Sequence, residues 1–207
     1  NNAFPGNPEA TIAGLAAGAV GRGLVTPDVV CHSNKRLCVR VNGQDTIPAL
    51  VDVCITTDTQ TGTRALWRSD RLRKLFLTFA EPGQVGLSSI GSLISPTTRE
   101  DNNGLVIDID PTAKQFKKLM APIAPGLFEP VAITNYEPIS INQKCVLDNS
   151  VGTLAYDGER EVTVFSGDRI EIALDRRGPR TIDMTKTIEN IAHSGLLIND
   201  DTLQSGR

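Results

Sequence analysis

The 207-residue sequence holds two histidines, one tryptophan, two methionines and 4% aromatic residues. With His32 and His193 the only imidazoles, histidine-based catalysis has little to draw on, and no complete catalytic constellation is visible. No G-x-G-x-x-G, G-x-x-x-x-G-K-[ST] or G-x-S-x-G segment supplies a phosphate loop or a nucleophile elbow. The four cysteines, Cys31, Cys38, Cys54 and Cys145, contain no C-x-x-C pair. Cys31-His32 and Cys38 lack the second half of a tetrahedral ligand set, so no metal site is expected and a reducing, cytoplasmic compartment is. No apolar run approaches the roughly 18 residues a membrane span needs, and no basic segment leads into an apolar one as in a secretion signal. The formal net charge of −3 and pI near 5.4 provide no broad basic surface for nucleic acid or anionic membrane. A small molecule is the expected partner.

What is present suits a globular domain, because 40% hydrophobic residues can build a core for one large domain or two small ones. The sequence opens on Asn1 without an initiator methionine, as expected of a processed chain or a piece of a longer protein. Asn7-Pro8-Glu9-Ala10 reads as N-cap, N1 proline and acidic first turn, and Ile12, Leu15, Ala16 and Ala19 continue at helical spacing. From Leu37 the period becomes two, through Val39 and Val41 to the hairpin signal Asn42-Gly43 and a second apolar run over 47–55, with Pro48 at an edge or bulge. Residues 63–74 can form a basic amphipathic helix carrying Leu66, Trp67, Leu72 and Leu75, or a strand can begin over 74–79. Strands are expected over 85–87, 105–109, 131–133, 144–147, 162–165 and 169–174, with turns at Asp157-Gly158 and Ser166-Gly167-Asp168. Asp183 or Thr185 can cap a last helix through Ile188, Ile191 and Ala192, closed by Gly195. The predicted fold is mainly β within the α+β class: a folded sheet or β-sandwich of many short strands, flanked by N- and C-terminal helices.

Several charged residues have structural readings beside functional ones. His193 in a last helical turn suits the helix dipole, and His32 has no partner identifiable from sequence. Arg64, Arg68, Arg71, Arg73 and Lys74 could face a polyphosphate, although such spacing also describes a solvated helix face. Asp108 and Asp110 could ligate magnesium or simply mark a strand end before Pro111. Asp157 is expected to satisfy its own turn, with Arg160 and Glu161 solvated.

Four segments together resemble a known family. Asn1-Asn2-Ala3-Phe4-Pro5, followed by the small-residue stretch over 9–18, looks like the segment after the phosphate-binding region in acetoin-catabolism protein X (AcoX)-like proteins. Diacylglycerol kinases carry a related asparagine-containing turn there. Ala49-Leu50-Val51-Asp52 resembles the Ala-Leu-Asn-Glu segment of NAD kinases, keeping the acid and replacing the asparagine with Val51. The small polar segment over 85–93 is similar in position to the NAD kinase loop reading Thr-Pro-Thr-Gly-Ser-Thr, and residues 152–161 and 166–172 look like closing hairpins of the same domain. The resemblance implies the C-terminal half of an ATP-dependent kinase that phosphorylates a hydroxyl. Its Gly-Gly-Asp-Gly-Thr motif, ATP and Mg2+ would belong to a preceding nucleotide domain. It further implies a helix over 1–25 adjoining that domain, an acceptor-binding β domain over 26–180, and a C-terminal helix and tail over 181–207. NAD or another nucleotide would be the acceptor, held by Asp52 and a loop of Ser88, Ser89, Gly91 and Ser92, with Asn2 on the phosphate side. A homo-oligomer is expected. A diacylglycerol-kinase-like lipid kinase domain and a non-catalytic regulatory or assembly domain are the alternatives.

Overall fold

The computed structural model describes residues 9–57, 68–148 and 151–198. In chain order the first elements are α1 (Ala10–Gly21), α2 (Pro27–Val30), β1 (Cys31–Ser33), β2 (Arg36–Val41), β3 (Gln44–Asp45), β4 (Asp52–Thr56), β5 (Leu72–Leu77) and α3 (Leu87–Ser92). Then follow β6 (Asn103–Ile109), β7 (Lys117–Ala124), β8 (Leu127–Ser140), β9 (Lys144–Asp148), β10 (Gly152–Tyr156), β11 (Arg160–Val164), β12 (Arg169–Asp175), β13 (Arg180–Ile182) and α4 (Met184–Ser194). Two compact units result, one on residues 34–178 and one on residues 9–33 with 179–198.

The larger unit is a β-sandwich. A seven-stranded antiparallel sheet in the order β11-β10-β4-β5-β6-β8-β7 faces a four-stranded antiparallel sheet in the order β3-β2-β12-β9. Between them lie Val53, Phe76, Val106 and Leu154 from the large sheet and Leu37, Val39, Ile170 and Leu174 from the small one, all at most 3% exposed. The large sheet also buries its other face, where Cys54, Leu75, Leu77, Leu105 and Ile107 pack with Ile90 of α3. Each fully buried aliphatic or aromatic side chain contributes about 1.5–3 kcal/mol, so both cores matter to stability. A strand buried on both faces loses its polar alternation. That is why β4 reads as a continuous apolar run.

The Asn42-Gly43 turn forms as expected, with φ of 53° and 80°, but its second strand is only the two-residue β3. The run over 47–55 then breaks at Pro48, touches β2 through the bridge between Leu37 and Ala49, and enters the other sheet as β4. Within 63–74, residues 63–67 lie outside the described residues. The remainder is a short 3-10 turn at Ser69–Arg71 followed by β5, the strand alternative.

Two expectations are corrected. The strand expected over 131–133 is the fourteen-residue β8, paired with a β7 that the reading did not anticipate. Prolines hid both strands. Pro130 lies where β8 pairs only with β7, and Pro138 where it pairs only with β6, so each missing N–H falls on an open edge. The strand over 85–87 and the loop after it are instead a turn through Gly86 and the helix α3. Ile90 and the partly buried Leu87, three positions apart, face the core, and that burial favours a helix over an extended loop.

The smaller unit packs α1, α2 and α4 around Ala19, Val25, Val30 and Ile191, with β1 paired antiparallel to β13. Glu9 caps α1 by accepting from the Ile12 N–H at 3.0 Å, while Asn7 and Pro8 lie outside the described residues. Asp183 caps α4 by accepting from the Lys186 N–H at 2.9 Å, and Gly195 closes it at φ 67°. His32 does have a partner, since its Nε2 lies 3.1 Å from Asp183 Oδ2. Among the described residues no helix is long and apolar enough to cross a membrane.

Candidate functional site

Residues 49–52 join the two sheets of the sandwich, and their backbone is almost wholly tied down. The N–H groups of Leu50, Val51 and Asp52 donate to the carboxylate of Asp157 at 3.0, 2.8 and 3.2 Å. The Thr78 N–H donates to the Val51 carbonyl at 2.9 Å, and the Thr78 hydroxyl to that of Leu50 at 2.7 Å. Asp157 returns its own N–H to the Asp52 carbonyl at 3.0 Å. Arg160 Nη2 donates to Asp157 Oδ2 at 2.9 Å and to the Pro48 carbonyl at 3.1 Å.

One polar atom in this bend is left over. Asp52 begins β4 with its side chain buried, and its Oδ1 has no hydrogen-bond partner among the described residues. Removal from water, and next the neighbouring Asp157 carboxylate, push its carboxyl up to about 7. Cys54, two residues on, is pushed well up by burial and then by Asp52. A buried carboxyl poised near neutrality, with its most deeply buried oxygen unpartnered, can donate a hydrogen bond when protonated and accept them when ionised.

The serines expected beside it sit differently. Ser88 Oγ donates to Gln84 Oε1 at 3.0 Å, Ser89 Oγ to the Gly86 carbonyl at 2.7 Å and Ser92 Oγ to the Ser89 carbonyl at 3.1 Å. These hydroxyls stabilise α3 and its entry. Gly91 is required by packing, because a Cβ there would lie 2.4 Å from Leu77 Cδ1 and 2.8 Å from Ala80 Cβ. Leu77 is the residue paired with Asp52 in the sheet, so Asp52 and α3 flank the same leucine without a bond between them. Asn2 lies outside the described residues.

Sequence reasoning missed Asp157, Arg160 and Thr78. Asp157 was expected to satisfy its own turn and Arg160 to be solvated, whereas both reach across to residues more than a hundred positions earlier. No local signal marks such a link, since only the pairing of β10 with β4 brings them together. The other charged groups are engaged: Lys74 Nζ lies 2.5 Å from Asp108 Oδ1, Asp110 accepts from Thr112, and Arg68 pairs with Asp70. Arg64 lies outside the described residues. Among the described residues no group of three or more His, Cys, Asp or Glu could hold a metal ion.

Residues 35–177 match the family described as the acetoin catabolism protein X C-terminal domain. The chain belongs to the acetoin catabolism protein X family. The matched segment nearly coincides with the sandwich unit, so that unit is the family's C-terminal domain, and it contains Asp52, Thr78, Asp157 and Arg160. The chain is also 33% identical over 201 residues to acetoin catabolism protein X of Cupriavidus necator. That alignment covers 95% of this chain and 56% of the relative, so the chain spans little more than half of the curated relative's length.

Proposed function

We propose that this chain carries the acceptor-binding half of an ATP-dependent small-molecule kinase that places a phosphoryl group on a hydroxyl. The observation that carries the reading is the Asp52 carboxyl, buried with an unpartnered oxygen at the end of a backbone whose other polar groups are tied. Its place in Ala49-Leu50-Val51-Asp52, the segment resembling the acidic nucleotide-contacting segment of NAD kinases, supports the same reading. A hydroxyl of the acceptor satisfies the free oxygen, and the Asp157 carboxylate nearby disfavours an anion there. The part of the ligand met by Asp52 is therefore neutral, such as a ribose hydroxyl of NAD or another nucleotide, rather than a phosphate.

The described residues do not fit ATP and Mg2+. The α3 hydroxyls are spent on local carbonyls and a glutamine, and Asp108 and Asp110 are held by Lys74 and Thr112. No step is assigned to this chain through those groups. The four cysteines are free thiols, which supports a reducing, cytoplasmic setting.

Calorimetric titration with NAD tests the proposal, followed by phosphorylated nucleosides and by lipids for the diacylglycerol-kinase alternative. Asp52→Ala is expected to weaken NAD binding by about 1.5–3 kcal/mol, the worth of a hydrogen bond to a charged group. Failure of the wild type to bind any nucleotide, or an affinity unchanged by the substitution, removes Asp52 from an acceptor site.

A further inference from the structure

Successive N–H groups of an extended strand point in opposite directions, so three of them reach one acceptor only where the backbone bends. The N–H groups of Leu50, Val51 and Asp52 all reach the Asp157 carboxylate, at 2.8–3.2 Å. Its Oδ2 also accepts from Arg160, and its own N–H closes the loop onto the Asp52 carbonyl. The turn itself does not demand a carboxylate. Asp157 and Gly158 sit at φ of 52° and 68°, a pair of left-handed positions that asparagine followed by glycine fills as well. A negative charge has instead been placed beside a second, buried carboxyl, at an electrostatic cost that packing alone does not explain. The Asp157 carboxylate is surrounded by donors, whereas the Asp52 carboxyl beside it has none at its buried Oδ1 among the described residues.

We propose that Asp157 is a positioning residue for Asp52: from the β10–β11 turn its carboxylate gathers the backbone N–H groups of the bend that presents the buried Asp52 carboxyl and places a negative charge beside it. Its meaning for phosphoryl transfer rests on the acceptor reading above, whereas the coupling of the two acids can be measured without a ligand. The titratable or charged groups around Asp52 are Asp157 from the turn, Arg160 bonded to Asp157, and Cys54 two residues along β4. After burial, the Asp157 carboxylate raises the proton affinity of Asp52, and the Arg160 guanidinium bonded to Asp157 carries the opposite charge. Removing each must therefore move Asp52 in opposite directions, which loosened packing does not do.

The test follows the Asp52 carboxyl carbon by NMR across pH in wild type, Asp157→Asn and Arg160→Gln, with the signal assigned by its loss in Asp52→Asn. The wild-type midpoint is expected near 7. Asp157→Asn keeps an oxygen for the N–H groups while removing the charge, and should move the midpoint to lower pH. Arg160→Gln keeps the carboxylate and its three backbone bonds, and should move it to higher pH. Midpoints that stay in place, or that both move the same way, overturn the positioning role. Should Asp157→Asn fail to fold, Arg160→Gln decides alone. A wild type that binds no nucleotide while both midpoints move as expected sinks the acceptor reading and upholds the coupling.

Discussion

Replacing Asp52 by asparagine should stabilise the protein above neutrality and change little in acid. The folded carboxyl titrates near 7 against an ordinary 3.8, a gap of about three pH units. At 1.36 kcal/mol per unit, ionising it inside the fold costs ~4 kcal/mol. The sign follows from proton counting. Between 3.8 and 7 the folded state binds more protons at this site than the unfolded one, so stability falls as pH rises through that window and the loss is complete above it. Asparagine has the same shape and cannot ionise. Urea denaturation of wild type and Asp52→Asn from pH 4 to pH 8 should therefore give a stability difference that grows with pH by a few kcal/mol in favour of the variant. Every shared carboxylate not coupled to Asp52 cancels from that difference, as does the pH-independent effect of the amide, which leaves the linked Asp52–Asp157 pair. A difference that stays flat across the range would refute the buried, unsatisfied state of Asp52.

Gly91→Val should cost about 1–3 kcal/mol by overpacking against Leu77 and Ala80, read as a lower urea midpoint at an unchanged slope; an unchanged midpoint would mean that α3 does not rest on the sheet. At Asp175, burial pushes the carboxyl up, but bonds from the Arg36 and Arg177 side chains, the Arg177 N–H and the Cys38 thiol outweigh it and hold the group well below the usual carboxylate range. Its stabilisation is present above about pH 4 and lost as pH falls. Asp175→Asn should thus lower stability by at least ~1.5 kcal/mol at pH 7, with the gap closing in acid; a gap independent of pH would contradict the ionic account.

The parts of the fold written in local chemistry were legible from sequence. Asn42-Gly43 sits at the left-handed angles its turn demands, and Asp183 and Gly195 bound α4 as a capping side chain and a left-handed terminator should. Strands with one covered face, such as β12, kept their alternation. What stayed hidden depends on distant partners. Pro130 and Pro138 look like strand breakers until β6 and β7 are seen to leave an open edge at each. The serine-rich segment at α3 has the composition of a loop and becomes helical because Gly91 can lie against Leu77. At the candidate site Asp52 stands out within its segment, but the turn that holds it comes a hundred residues later, and nothing near either residue announces the other.

The strand β12, running through the middle of the small sheet, has a consequence for synthesis. It lies between β2 and β9 and supplies Ile170, Ile172 and Leu174 to the core, yet it ends at Asp175. On the ribosome β2 emerges long before β12, its long-range partner, and pairing across such separations is slow. During that interval Leu37 and Val39 have no covering strand, and the edge of β2 is open to pairing with another nascent chain. The sandwich is thus most vulnerable to misassembly just before β12 arrives, and a chain ending before residue 157 would lack both an inner strand of the small sheet and the turn that shapes the candidate site.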